Sequence, residues 1–232
     1  MAAETVRQLA ERIRQLETSF RLGDSLRIPL GTCGLDALFP EQGLSAGSLV
    51  ELLPRGAGTG AWTFALILAR YACGERKTLL IADPARSFYP LAARKFGLDP
   101  NRTVIVRPRT VGDALLAIAQ SLRCAAIGMA IGEFERLSDR DSRHLQLAAE
   151  SGGAVGVLLR PPSALNTPSF ASVRLLLDPL PSRHGRRRLK VEVLRCRGGS
   201  EGKAIYLEVD DATGHVRAFS PLELATNLAP PA

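Results

Sequence analysis

The sequence predicts an α/β fold, in which a doubly wound, mostly parallel sheet is extended by antiparallel C-terminal strands and preceded by an N-terminal helix. Three observations carry this prediction. Short, nearly all-apolar segments alternate with helix-like segments between residues 48 and 159, as expected for parallel strands covered on both faces. After residue 172, strand-like segments follow one another through turns, which is typical of antiparallel pairing. Before residue 23, apolar residues recur every three or four positions, which is the period of a helix.

The N-terminal segment, residues 3–22, is predicted to be a helix with one apolar stripe. The stripe contains Val6 and the candidate partner-binding residues Leu9, Ile13, Leu16 and Phe20. Two interpretations fit it: the helix packs on its own domain, or it docks on a neighbouring subunit or partner. A linker-like stretch follows, so we expect a helix and linker at 1–27, a core at 28–222 and a flexible tail at 223–232.

The core elements follow in order. Glycine-rich turns surround a short helical piece at 35–38. Predicted buried strands, rich in Leu, Ile, Val and Ala, lie at 48–53, 77–82, 103–106, 125–131 and 154–159. Predicted helices, with apolar residues at helical spacing, lie between them at 63–72, 89–96, 111–122 and 143–150. The last strands are predicted at 173–177, 189–194, 204–209 and 215–219, with "SRHGRRR", "RGGSEG" and "DATG" as turn-like connections.

Composition bounds the function only loosely. The chain of 232 residues has a net charge of +7, which fits a nucleic acid or an acidic partner, although simple solubility explains it equally well. The four cysteines are widely spaced and no histidine lies near them at ligand spacing, so buried free thiols are expected and no metal site. The N-terminus is charged and no apolar run reaches the length of a membrane span, which predicts a cytoplasmic protein without membrane contact.

A glycine-rich loop lies where a phosphate-binding loop belongs, between the first core strand and the next helix. The candidate loop residues are Arg55, Gly56, Gly58, Thr59 and Gly60. Such a loop needs a lysine for the terminal phosphates and then a hydroxyl for magnesium, but Ala61 and Trp62 occupy these positions. A second acidic site is also missing, because the strand at 125–131 is followed by Gly132 and Glu133 instead of an aspartate. We therefore expect no catalytic residues, no resident cofactor and no enzyme activity, although backbone amides leave weak ATP binding open.

The chain resembles the RecA-like recombinase core over about residues 28 to 210. The segments that carry the likeness are "IPLGTCGLDALFPEQGLSAGSLVELL", "LLIADPARSFYPLAARKFGLDPNRTVIVRPRTVGDALLAIAQSL" and "RLKVEVLRCRGGSEGKAIYLEV". It resembles more closely the ImuA family, also called SulA-like, through "RHLQLAAESGGAVGVLLRP", "PSFASVRLLL" and "LKVEVLRCRGG". This resemblance implies an accessory role in damage-induced translesion DNA synthesis, beside a polymerase-like protein. It also implies contact with a recombinase or with DNA.

The departures from the recombinase pattern argue against strand exchange. The catalytic glutamate that the resemblance implies after the second strand falls near Asp83 and Pro84, so only Asp83 could replace it. The segments at the positions of the two mobile DNA-binding loops are short, at about 137–142 and 161–169. A filament that switches on ATP and wraps a single strand needs all of these parts.

A basic cluster lies between residues 182 and 197. Its members are Arg183, Arg186, Arg187, Arg188, Lys190, Arg195 and Arg197. Clustered cations suit phosphate contacts, but no aromatic residues interleave them, so a base-stacking platform is not indicated. A solvated hairpin turn or contact with an acidic protein remains an equal interpretation.

Three hypotheses follow. In the first, a RecA-like protein that has lost hydrolysis serves as an adaptor in the SOS response, binding a polymerase-like translesion protein. In the second, the chain is a divergent RecA-type ATPase in which Arg55 or Asp83 replaces the lost groups. In the third, it is a basic DNA-binding module that works through the arginine cluster. The first is favoured because the phosphate-handling residues are missing.

Overall fold

The computed structural model describes residues 26–220 except 32, 33, 57 and 200, and it leaves the side chains of Glu41 and Arg183 undescribed. Two short strands, β1 (Arg27–Ile28) and β2 (Leu44–Ser45), pair antiparallel near its start. The strands of the main sheet are β3 (Leu49–Pro54), β4 (Thr78–Ala82), β5 (Thr103–Val106), β6 (Ile127–Glu133), β7 (Val155–Leu159), β8 (Val173–Arg183), β9 (Arg186–Cys196), β10 (Ala204–Asp210) and β11 (Val216–Ala218). The predicted N-terminal helix and tail, with Leu9, Ile13, Leu16 and Phe20, lie outside the described residues.

Four α-helices connect the strands of the parallel part. They are α1 (Ala61–Cys73), α2 (Pro90–Lys95), α3 (Val111–Leu122) and α4 (Asp139–Gly152). Short 3-10 helices lie at Leu35–Leu38, Pro40–Gln42, Pro100–Arg102 and Pro162–Asn166. None of the helices in the described part of the chain has the length and apolar character that a membrane span requires.

The main sheet has nine strands in the order β11-β10-β9-β8-β3-β7-β6-β4-β5. The six strands from β8 to β5 run parallel, and β9, β10 and β11 continue the sheet antiparallel beyond β8. From β3 the chain crosses to β4 on one side, whereas from the adjacent β7 it crosses to β8 on the opposite side. An open α/β sheet has a crevice at such a point, and the loop after β3 lies there. The predicted fold class is confirmed, including the antiparallel extension.

The hydrophobic core has two layers, one on each face of the sheet. On one face α1 packs through Phe64 and its neighbours, and the same layer covers the inner face of the antiparallel extension. On the other face α3 and α4 pack through residues such as Ile118 and Leu145. This two-layer burial explains why β3 and β7 are apolar at nearly every position.

Several predicted boundaries are wrong by a few residues. The connection predicted as "SRHGRRR" is a two-residue turn at His184 and Gly185, both with positive φ, because the twist of a tight hairpin favours that conformation. Helix α4 begins at Asp139, four residues earlier than predicted, because the Ser138 hydroxyl caps it by accepting a hydrogen bond from Asp141 N at 3.1 Å.

Candidate functional site

The loop after β3 leads into α1 through glycines with positive φ. Gly58 and Gly60 have φ of 74° and 81°, and Gly60 forms the N-cap of α1 without a side-chain cap. Only glycine adopts this left-handed geometry without strain, so the glycines set the turn from strand to helix. Thr59 is 3% exposed and its hydroxyl donates to the carbonyl oxygen of Gly56 at 3.0 Å, so it is turned into the loop.

The first turn of α1 presents apolar groups where a phosphate-binding loop has its lysine and hydroxyl. Ala61 and Trp62 are half-buried and pack against the core. The rings of Trp62 and Phe88 lie 5.5 Å apart between centroids with an interplanar angle of 40°. The indole therefore belongs to an aromatic contact between α1 and the segment after β4.

Two acidic residues, Asp83 and Glu133, lie at the ends of β4 and β6. Asp83, just after β4, is 2% exposed, and its two carboxylate oxygens accept hydrogen bonds from Ser87 N at 3.0 Å and Phe88 N at 3.2 Å. Glu133 ends β6 and is exposed. Because the lysine and the hydroxyl are absent and Asp83 organises its own loop, these residues do not fit a hydrolysable magnesium–nucleotide.

A member of the predicted basic cluster, Arg187 on β9, reaches the loop, which the sequence did not predict. The guanidinium of Arg187 donates to Thr63 Oγ1 and to Asp211 Oδ1, each at 2.9 Å. A Cβ atom at Gly60 would lie 3.4 Å from Arg187 Cδ and 3.5 Å from its Nη1. A cation at a helix N-terminus is opposed by the helix dipole, and the carboxylate of Asp211 offsets this. Arg187 thus joins the hairpin of β8 and β9 to the start of α1.

Arg55, the first residue of the loop, is bound to β8. Its guanidinium forms an ion pair with Asp178 on β8, and its backbone N–H donates to Leu177 O at 2.9 Å. The first residue of the loop is thereby tied to the neighbouring strand. This arrangement leaves Arg187 as the described cation beside Gly60.

The predicted basic cluster is largely neutralised by carboxylates of the same chain. Arg186 and Arg188 bind Glu208, at 3.2 and 2.7 Å, and Lys190 binds Glu192 at 2.6 Å. Arg197 binds Glu150 at 2.9 Å and Arg195 donates to Ser169 O at 2.8 Å. Arg188 is 3% exposed, so it is wrong as a surface contact. The backbone of Arg183 ends β8, and its side chain is not described.

Glu208 is the centre of the ion pairs on the outer face of the extension. Register places it opposite Arg188 on β9 and Arg217 on β11, and Arg188 lies over the Phe219 ring at 4.7 Å. Burial alone would raise the pKa of the Glu208 carboxyl, but hydrogen bonds from the arginines outweigh it and lower the pKa to about 2. The cations that look free in the sequence therefore hold three strands together.

A buried charge network lies under the segment that follows β7. Glu51 in β3 is 2% exposed and binds Arg174 at 2.9 Å, with Arg160 Nε at 3.6 Å. Burial lowers the pKa of Arg160, the charge of Glu51 opposes this, and the charge of Arg174 adds to it. Arg174 also donates to the carbonyl oxygens of Ala164 and Leu165, at 2.7 and 3.4 Å. The network holds the middle of segment 161–169 through these two carbonyl oxygens.

The two segments at the positions of recombinase DNA-binding loops are ordered and joined to each other. The first, predicted at 137–142, is mostly the cap and first turn of α4. In the second, Pro162–Asn166 is a 3-10 helix. Phe170, the residue that follows this segment, donates its backbone N–H to Ser142 Oγ at 3.1 Å.

The thiols and histidines supply no reactive constellation in the described part of the chain. Burial raises the pKa of the Cys73 thiol to about 12 and that of Cys196 to about 11. Cys124 is exposed, so the prediction that the thiols are buried is wrong at that position, which follows the end of α3. Among residues 26–220, as far as described, no three His, Cys, Asp or Glu side chains are grouped to hold a metal ion.

Comparison with known proteins places the chain among RecA relatives. No family model matches it. It is 29% identical to Protein ImuA of Caulobacter vibrioides, in an alignment of 227 residues that spans 87% of this chain and 90% of that protein. It is 31% identical over 136 residues to Protein RecA of Haemophilus ducreyi, spanning 53% of this chain and 36% of that protein.

A solved structure supports the same assignment of the fold. The RadB recombinase superposes on 83% of this chain and over the whole of its own, with a TM-score of 0.64 and 16% sequence identity. At this identity the likeness shows the fold alone. The chain is therefore similar in sequence to ImuA and, over about half of its length, to RecA, and it shares the fold of the RadB recombinase.

Proposed function

We propose that this protein is a non-catalytic, cytoplasmic RecA-like adaptor in damage-induced translesion DNA synthesis, where it binds a polymerase-like partner. The observation that carries the proposal is the first turn of α1. Ala61 and Trp62 stand where the lysine and the hydroxyl belong, and Trp62 packs on Phe88. A fold that keeps its packing without phosphate-handling groups suits a protein that works through surface contacts. The similarity to ImuA supports translesion synthesis as the process in which it acts.

The adaptor function is tested by isothermal titration of the full chain with the polymerase-like translesion protein of the same organism. We expect a saturable complex whose affinity is unchanged by ATP and magnesium, because the partner contact does not depend on nucleotide. Absence of binding by correctly folded protein would argue strongly against this function. The same titration with the recombinase tests the second expected partner.

A second candidate, a divergent nucleotide-binding protein, is favoured by one observation, which is the guanidinium of Arg187 beside Gly60. Trp62 is the single tryptophan of the chain and lies in the first turn after the loop, so its fluorescence reports on this site. The adaptor proposal expects no saturable change on ATP titration and no turnover above background. Saturable binding that Arg187→Ala abolishes, with turnover that Asp83→Asn removes, would favour the second candidate instead.

The third candidate, a basic DNA-binding module, receives less support from the geometry. Its cations are engaged by Glu150, Glu192, Glu208 and Asp211, so few of them are available for phosphates. Salt-steep binding of single-stranded DNA, weakened by Arg186→Ala with Arg187→Ala, would revive it.

A further inference from the structure

The segment after β7 and the first turns of α4 form one surface around Phe170. The guanidinium of Arg143 lies over the Phe170 ring, 5.5 Å from its centroid. Phe170 is 37% exposed, and Leu147, one turn beyond Arg143 on the same face of α4, is 49% exposed. We call this the Phe170 surface and define it by Arg143, Leu147, Phe170, Arg195 and Arg197.

This surface is held in place from several elements. Ser142 Oγ accepts the Phe170 N–H at 3.1 Å, Gln146 Oε1 accepts the Ser172 N–H at 3.2 Å, and Arg195 donates to Ser169 O at 2.8 Å. Each bond joins the segment after β7 to α4 or β9. Little ordering entropy is therefore lost when a partner binds, which favours affinity.

The charge around Phe170 is positive. The three arginines of the surface are exposed, and the carboxylate that contacts one of them is Glu150, which binds Arg197 at 2.9 Å. Arg143 contacts the Phe170 ring, and Arg195 uses one N–H on a backbone carbonyl, which leaves donors of both directed at solvent. A surface of this charge complements carboxylates.

A protein fits the surface better than a nucleic acid. Its single aromatic ring is covered on one side by Arg143, so successive bases have no platform on which to stack. An exposed aromatic beside arginines and a leucine is the composition of a protein–protein hot spot.

We propose that the Phe170 surface binds an acidic segment of the polymerase-like partner, with an apolar side chain on Phe170 and Leu147 and carboxylates on Arg143 and Arg195. This inference rests on the adaptor function proposed above and adds the place and chemistry of the contact. It assigns a protein-docking role to the segments at the positions of the recombinase DNA-binding loops.

The test is titration of the polymerase-like partner into the full chain and its variants at low and high salt. Phe170→Ala and Arg143→Glu should each weaken binding about tenfold or more, because they remove the apolar anchor or reverse a complementary charge. The matched control is Arg76→Glu, a charge reversal in the exposed turn between α1 and β4, which should leave affinity within about twofold. Thermal unfolding of each variant verifies folding.

The outcomes separate this inference from the adaptor function. If the wild-type chain binds the partner and both variants bind equally well, the surface is wrong and the adaptor function stands. If the wild-type chain does not bind, both are overturned. If an oligothymidylate strand binds and loses affinity in both variants while partner binding is unchanged, the surface serves a nucleic acid and the inference falls.

Discussion

At the scale of single residues, the most informative side chain is Arg187, which the sequence placed in the basic cluster but not beside the glycine loop. Arg187 and Thr63 are 124 positions apart, and their contact brings a cation to the glycine loop. Sequence reasoning identified the loop from local glycine spacing, and it found the missing lysine in the same way. It could not find Arg187, because no local pattern links a residue near a hairpin turn to a helix N-terminus.

Glu51 should be the charge whose loss costs most. Glu51→Gln leaves Arg160 and Arg174 without their common carboxylate in a buried site, so we expect a loss of about 3–5 kcal/mol in the free energy of unfolding. Urea denaturation at neutral pH measures it. The control is Glu192→Gln, whose ion pair with Lys190 is more exposed and should contribute about 1 kcal/mol or less. Equal effects of the two substitutions would contradict this reading of the network.

At the scale of elements, strands and helices of the parallel part were predictable because their apolar patterns are strong and local. The prediction matches α3 and β5 at both ends. Failures cluster where polar residues continue an element. The sequence predicts a turn at Arg183 and Arg186–Arg188, but these residues belong to β8 and β9. Arg186 and Arg188 bind Glu208 on the neighbouring β10. Likewise "SDRDS" was read as a loop, although it begins α4 through a serine cap.

The packing of α3 against α4 depends on a glycine at the end of α4. A Cβ atom at Gly152 would lie 2.0 Å from the carbonyl oxygen of Leu122 and 2.5 Å from Arg123 Cα, so the backbones must separate. Gly152→Ala should lower stability by about 1–3 kcal/mol, as overpacking does. In Gly112→Ala the nearest atom is Thr110 Oγ1 at 3.7 Å, and we expect stabilisation of up to about 1 kcal/mol from helix propensity. Thermal unfolding of both variants measures these changes in stability. A loss of stability in both variants would contradict the prediction.

At the scale of the whole molecule, the sheet has a parallel part and an antiparallel extension, and charge pairs secure the extension. The fold class was predictable from the order of elements. The ion pairs of the basic cluster were not, because most of the carboxylates that neutralise it lie on β10, just after β10 and on α4. The glycines of the loop are visible in the sequence and the ion pairs around the loop are not, and the binding role of the candidate site stays a prediction.

The stability of the molecule should fall in acid partly through Glu208. Its pKa is about 2 when folded and about 4.5 when unperturbed, so its contribution is present above pH 4.5 and is lost as pH falls through 2. We expect the free energy of unfolding to drop more steeply between pH 5 and pH 2 in the wild type than in Glu208→Gln, by on the order of 3 kcal/mol. Urea titrations across this range measure it, with Glu192→Gln as the charge-matched control. Parallel curves for wild type and Glu208→Gln would refute the assignment.

The aromatic contact of Trp62 with Phe88 also has a consequence for any substitution in the first turn of α1. The features that distinguish this loop from the phosphate-binding pattern lie on three elements. They are Trp62 in the first turn of α1, Phe88 in the segment after β4, and Arg187 on β9. Placing lysine at 61 and threonine at 62 would remove the contact of the Trp62 indole with Phe88. It would also place a second cation close to Arg187. A lysine and a hydroxyl at these two positions would therefore require matching changes at Phe88 and at Arg187.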